Sequence, residues 1–365
     1  MKVGIVTVHR ANNYGAAVQA YALQRVLRDD GIEAQFIDYV GVFLKHPFGI
    51  ENFRKKGLLG EAFTFVGELS RLPRRKKFND FRKRYFICTK ELNKEELGGL
   101  EEQFDLFIAG SDQVWNYRIT NQDGAYLLDF VKSYDKKGSY AASFGLTRIE
   151  RKYREWYSQS LSDIKYLNVR EKSAIPIVKK YTNRIPKVVL DPTLLLSKEE
   201  WKKIVLEPRV EGDYILSYQV GMDRHLVEYI SFLSKVTGLP VYSIPFTQGG
   251  YTKMHPIMDA GPSEWLGWIK KARYVITDSF HGMALSIIFE RNFAVNVSAQ
   301  GEILSSRLKD LLDITGIKGR NINEIGNVVV EEIDYSVINM RIEEHRKYSL
   351  GILRGMVLDA KGERR

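Results

Sequence analysis

The stretch Ile276-Thr277-Asp278-Ser279-Phe280-His281-Gly282-Met283-Ala284 sets polar, ionisable groups between two apolar runs. Val275 and Ile276 read as the end of a short buried strand and Met283 to Ile288 as an apolar helix, so Thr277 to Ser279 fall at the turn and supply cap oxygens. Junctions of this kind are where α/β proteins place ligands. His281 would then lie near a helix N-terminus, where backbone N–H groups and the helix dipole favour an anion. A phosphate held by the N–H groups from Ser279 through Phe280 to Gly282 would sit beside an imidazole able to move a proton. The competing reading is a histidine that merely packs in a buried turn.

Three other places carry chemistry. In Leu167-Asn168-Val169-Arg170-Glu171-Lys172-Ser173 the planar guanidinium of Arg170 can grip a carboxylate or phosphate through two parallel hydrogen bonds, although Glu171 offers a purely local ion pair. In Phe104 to Asn116 an apolar strand ends at Gly110 and Ser111, which bring a backbone N–H and a hydroxyl to the sheet rim. Asp112, Gln113 and Asn116 suit sugar hydroxyls there; Ser111 or Asp112 would serve equally as a helix N-cap, and Trp115 either stacks a sugar ring or fills the core. Arg307 and Lys309 follow Ser305-Ser306 at an expected helix start, where a basic pair opposes the dipole unless an anion is near, which favours a ligand role for Arg307.

Such groups require a scaffold. Val3 to Val8 reads as a first strand, followed by Asn12-Asn13-Tyr14-Gly15 and a helix with an inward stripe of Val18, Tyr21, Ala22 and Leu27. Asn12 or Asn13 can cap that helix, and Gly15 leaves room for a ligand or backbone, but the three-glycine spacing of a dinucleotide turn is missing. The alternation of strand-like and helix-like runs resumes after Ser197, with strands expected at Tyr214–Gln219, Val241–Pro245, Tyr274–Thr277 and Phe293–Val297 and helices at His225–Thr237 and Pro262–Lys271. Alternation of this kind implies parallel sheets, because each crossover helix returns the chain to begin the next strand in the same direction. A length of 365 residues with 44% hydrophobic content fits two such cores. Val188 to Leu196 reads as a buried strand with a Pro-stiffened turn at their seam, and Val337 to Ala360 as a surface helix.

The segments from Asn12, Phe104, Tyr140 (Tyr140-Ala141-Ala142-Ser143-Phe144-Gly145), Leu167, Val188 and Ile276 together resemble the polysaccharide pyruvyl transferase family over most of the chain. The resemblance implies two Rossmann-like α/β domains with mostly parallel sheets in a glycosyltransferase-B-like arrangement with an interdomain cleft. Residues 1–196 would be the acceptor side, with a basic insertion at about 50–90, residues 197–335 the donor side, and residues 336–365 a helix returning to the first domain. It also implies the reaction, transfer of the pyruvyl group of phosphoenolpyruvate to two sugar hydroxyls, with no further cofactor and no metal. His281 would be the proton-transfer group and Arg170 the anion clamp. Ser279, Phe280, Gly282 and Arg307 would hold the donor, and Asn13, Tyr14, Gly15, Gly110, Ser111, Asp112 and Gln113 would line the acceptor side. A nucleotide-sugar glycosyltransferase, or a non-catalytic saccharide- or anion-binding protein, could use the same shell.

The formal charge of +10 gathers at Arg54 to Lys56 and at Arg71 to Arg84. Phe78, Phe81 and Tyr85 share one side of a helix through that run, flanked by Leu58, Leu59, Phe63, Phe65 and Val66, which suggests a basic amphipathic surface for anionic lipid headgroups. Such a surface suits an acceptor linked to polyprenyl diphosphate at the inner face of a bacterial membrane. No nucleic-acid-binding motif accompanies the charge, so nucleic acid is not expected, and a solvated helix is the plain alternative. Neither a membrane span nor a signal peptide is legible, so a cytoplasmic protein is expected. The single Cys88 is expected to be a structural apolar thiol, and the histidines show no metal-site spacing.

Overall fold

The structure, a computed structural model, describes residues 1–41, 72–221, 223–245, 254–298 and 302–362. Arg54 to Lys56, Arg71 and the flanking apolar residues from Leu58 to Val66 lie outside them. The chain divides into two compact units, one of Met1–Asn52, Lys83–Leu195 and Glu344–Arg365, the other of Phe53–Arg82 and Leu196–Glu343. Two segments fall differently from the linear division expected above. The segment before Lys83 joins the second unit, where Lys77 pairs with Asp259 at 2.9 Å and Glu264 at 3.0 Å. The C-terminal helix Tyr335–Ala360 is shared, its residues before Glu344 belonging to the second unit and the rest to the first.

In the first unit β1 (Lys2–Val6) lies between β2 (Glu33–Phe36) and β3 (Leu106–Ala109), with β4 (Lys137–Ser139) beyond β3. Single bridges from Gly138 to Tyr166 and from Ala142 to Val169 continue this order to the pair β5 (Asn168–Val169) and β6 (Lys187–Val188). In the second unit the order is β11 (Asn292–Val295), β10 (Tyr274–Thr277), β7 (Ile215–Gln219), β8 (Val241–Pro245) and β9 (His255–Pro256). Every pairing among these strands is parallel. Strands covered on both faces read as continuous apolar runs, and β3 and β10 are buried at every position.

The topology fixes where each site forms. From β1 the chain goes to one side through β2 and to the other through β3, and from β7 it goes to one side through β8 and to the other through β10. The crevice outside the strand C-termini at such a reversal is where open α/β sheets bind ligands. Three of the motifs singled out above fall at these places, after β1 and β3 in one unit and after β10 in the other, and the Arg170 motif follows β5.

The first helix, Tyr14–Asp29, shows why. Asn13 is its N-cap, its side-chain oxygen accepting from Ala16 N at 3.0 Å. Burial runs almost all round this helix instead of along a stripe, because Gly15, Ala16, Ala17, Ala20 and Ala22 let it pack closely on the sheet side and on the turn Pro192–Leu194 as well. In the first unit the C-terminal helix is tied down by Leu190 N donating to Ser349 Oγ at 3.0 Å, Tyr166 Oη to Asp359 at 2.6 Å and Arg354 to Asp30 at 2.8 Å.

Candidate active site

Four successive strand ends supply the rim of the first unit. Ser111 and Asp112 follow β3, Ser143 follows β4, Arg170 and Glu171 follow β5, and Asp191 follows β6. Asp191, fully buried, is their hub. Its Oδ2 accepts from Ser111 Oγ at 2.9 Å and from Arg170 Nη1 at 2.9 Å, while its Oδ1 accepts from Thr193 N at 3.0 Å and Thr193 Oγ1 at 2.8 Å. The network reaches the first strand through Thr7, whose hydroxyl donates to Ser111 O at 3.0 Å and accepts from Gln19 Nε2 at 3.1 Å. Arg170 also lies 3.6 Å from Glu171 and 3.8 Å from Asp112. Burial opposes its charge, but the three carboxylates outweigh that and raise its pKa.

Asp112 and Gln113 are partly exposed on this rim, as is Asn13, whereas Tyr14, Gly15, Gly110 and Ser111 are buried. Asp112 has a left-handed backbone, φ 74°, and its Oδ1 accepts from Gln113 N at 2.9 Å. Neither Ser111 nor Asp112 caps a helix; that role falls to Asn116, before Tyr117–Thr120. Gly110 packs tightly, since a Cβ there would come within 3.0 Å of the Thr7 Cβ. Trp115 is core, 1% exposed, with its Nε1–H donating to Tyr126 O at 3.2 Å.

The second rim is simpler. Ser279 caps the helix Phe280–Ile288, its Oγ accepting from Gly282 N at 3.3 Å, and Ser279 N donates to Thr277 Oγ1 at 3.0 Å. Those two N–H groups are therefore engaged within the turn. His281 is the second residue of the helix and is buried, its ring edge-on to Phe280 at 5.2 Å. Gly282 is required by close packing: a Cβ there would lie 2.7 Å from Thr277 Oγ1 and 3.0 Å from the Tyr218 ring. Asp278, 3% exposed, accepts from Val220 N at 2.7 Å and Gly221 N at 3.3 Å, which joins the end of β10 to the loop after β7.

Residues 13–295, which carry both rims, match the polysaccharide pyruvyl transferase family. The chain belongs to that family. No curated protein matches it by sequence. Among solved structures it is similar to a Listeria monocytogenes protein assigned as a UDP-N-acetylglucosamine 2-epimerase, at 10% identity over 100% of this chain and 97% of that one, with a TM-score of 0.56. It is similar also to the Staphylococcus aureus MnaA–UDP co-structure, at 12% identity over 100% and 97% of the two chains and a TM-score of 0.54. The UDP-GlcNAc 2-epimerase of Neisseria meningitidis bound to UDP-GlcNAc matches at 12% identity, 97% and 100% coverage and a TM-score of 0.51. These likenesses establish a glycosyltransferase-B-like α/β fold.

Within this pyruvyl transferase family member several expected placements need correction. Arg307 is buried but lies inside the helix Glu302–Thr315 and not at its start, so the argument from the helix dipole does not apply to it; Lys309 is exposed. Residues 72–85 are helical, but Phe78 and Phe81, at 0% and 4% exposure, face the protein core and are not available to enter a bilayer. That helix leaves Lys76, Lys83 and Arg84 exposed, along with Leu72 at its start and Asp80. Cys88 is exposed and is not a buried apolar thiol. Among the described residues no group of three or more His, Cys, Asp or Glu side chains is arranged to hold a metal ion, and no helix is long and apolar enough to cross a membrane.

Sequence reasoning gave no site role to Asp191, Ser143, Thr7 or Gln19. Asp191 follows the apolar run Val188, Val189 and Leu190, which marks a strand end but not the distant partners that gather on it.

Proposed function

We propose that this protein transfers the pyruvyl group of phosphoenolpyruvate to two hydroxyls of a saccharide, forming a pyruvate ketal and releasing phosphate. The acceptor is a cell-surface polysaccharide or its lipid-linked precursor. The observation that carries this reading is the buried imidazole of His281 in the first turn of a capped helix, at the reversal point of the second sheet, in a chain of this family.

The chemistry asks little beyond what such a rim offers. Phosphoenolpyruvate presents a phosphate and a carboxylate, and the N-terminal turn of Phe280–Ile288 supplies a positive dipole end for them. Protonating the methylene carbon makes C2 electrophilic; His281 is the candidate donor of that proton and Arg307 a second cation for the donor. Asn13, Asp112 and Gln113 meet the acceptor on the first rim. The exposed cations of helix 72–85 would hold the protein electrostatically against an anionic cytoplasmic membrane face, without insertion of its aromatic side.

Incubating the full chain with phosphoenolpyruvate and a panel of oligosaccharides tests the reading. The expected result is stoichiometric phosphate release together with a new ketal methyl singlet in the proton NMR spectrum of one acceptor. Transfer of a sugar from a nucleotide donor, with phosphoenolpyruvate left intact, would replace this reading with glycosyl transfer.

A further inference from the structure

At the end of the first unit's sheet away from its rim, where the chain enters β5 and β6, a cavity of about 420 Å³ opens against the C-terminal helix. Its lining includes Arg184, Ile185 and Lys187 at the entry to β6, and Ile352, Gly355 and Asp359 on the helix. Ile185 is 72% exposed. Arg184 donates to the backbone carbonyls of Ile164 and Lys165, Lys187 is exposed, and among the described residues neither meets a carboxylate.

The helix beside this cavity has two unlike faces. Ile342, Ser349, Leu353, Met356 and Val357 are buried, and at about 100° per residue they fall on one side. On the other side Tyr348, Gly351, Gly355 and Leu358 lie within about 40° of a single line, which Glu344 continues one turn before Tyr348. Tyr348 and Leu358 are 50% and 37% exposed, and a Cβ at Gly351 or Gly355 would meet nothing within 4 Å. Glycine weakens a helix interior, and packing within the chain gives nothing back for these two. A solvated helix face carries polar side chains, whereas this one carries two large apolar side chains around a low centre.

We propose that this face joins two copies of the chain, their C-terminal helices antiparallel about a two-fold axis at the level of Leu353. The face is self-complementary about that level: residues equally far from 353 come to the same height, so Gly351 meets the partner's Gly355, and Tyr348 stands level with the partner's Leu358. In such a pair each side of the seam is lined by the same side of both helices. Tyr348 shares a side with Ile352, Gly355 and Asp359, which line the cavity, so the partner's Tyr348 enters the cavity beside Gly355 and Asp359. The partner's Glu344, one turn beyond, brings a carboxylate toward Arg184 and Lys187; Glu344 is exposed and meets no cation of its own chain among the described residues. A small anion would answer the two cations but would leave Tyr348, Leu358 and the glycines without a role. The proposal is independent of the pyruvyl-transfer reading.

Sedimentation velocity of the full chain tests this. The wild type should sediment as a dimer with a dissociation constant below about 0.1 mM. Gly355→Gln has room in its own chain and removes a helix glycine, so its urea midpoint should not fall, yet its dimer dissociation constant should rise at least about tenfold. Tyr348→Ala should weaken the dimer to a similar degree, since it empties the cavity of its largest occupant. Glu344→Lys should weaken it less, and Lys187→Glu added to that variant should restore it. A wild-type chain that stays monomeric over this range, or a dimer that none of these substitutions weakens, would overturn the proposal. So would a monomer whose cavity takes up citrate, which would give the cavity to a small anion.

Discussion

At the first rim four strand ends converge on a guanidinium enclosed by carboxylates; at the second, two strand ends meet at Asp278, beside the helix N-terminus that carries the imidazole of His281. The second stands at the reversal point of its parallel sheet, whereas the first runs from the strand next to that point, β3, along the ends of β4, β5 and β6; topology accounts for their location and not for their chemistry. The first is held by side chains: Gln19, Thr7, Ser111, Asp191 and Arg170 form one chain of hydrogen bonds. The second is held largely by backbone, with Asp278 gripping two N–H groups and Gly282 admitting the strand beside it. One topology thus presents two rims of different make, one braced by side chains and one by backbone.

This contrast is most vulnerable at Asp191. Asp191→Ala leaves the buried Arg170 short of its closest carboxylate, and the loss in unfolding free energy should be about 3–5 kcal/mol by urea denaturation. A loss under about 1 kcal/mol would mean that the side-chain network does not hold the first rim. At the second rim the sensitive feature is space. Gly282→Ala should cost about 1–3 kcal/mol, because the added methyl meets Thr277 and Tyr218. A neutral result would show that the helix can back away from β10 and that the rim is looser than its packing implies.

The smallest effect is a dependence on pH, confined to the first unit. Burial alone would raise the Asp38 pKa, but hydrogen bonds from His9 and Arg10 outweigh it and hold the carboxyl well below the usual range. A depressed folded pKa gives stability that is fully present above about pH 4, the ordinary aspartate range, and that is lost progressively as pH falls below it. The gap in urea midpoint between wild type and Asp38→Asn should therefore narrow on acidification from pH 7 to pH 2. A gap that stays constant would show that the charge of Asp38 adds nothing to stability.

The strand ends were legible in the sequence because each is a short apolar run followed by small and polar residues, as at Ala109-Gly110-Ser111 and Thr277-Asp278-Ser279. The cap at Asn13 was legible for the same local reason. Asp191 was not, since its partners Ser111 and Arg170 lie 80 and 21 positions away and only the fold brings them together. Arg170 was read correctly as a strand-end cation, but its surroundings, which decide what it can bind, are long-range too. The helix 72–85 misled for another reason: an amphipathic pattern says that one face is covered and does not say whether protein or lipid covers it.

Whether the second rim takes phosphoenolpyruvate is decided by a thermal-shift titration of the wild-type chain and His281→Ala, alongside inorganic phosphate and uridine diphosphate. A ligand that binds the folded state raises Tm by mass action. Phosphoenolpyruvate should give a saturable rise, larger than that with phosphate and reduced in His281→Ala, and uridine diphosphate should give none. A rise with uridine diphosphate alone, or a phosphoenolpyruvate response that His281→Ala leaves intact, would contradict the assignment of His281 to the donor site.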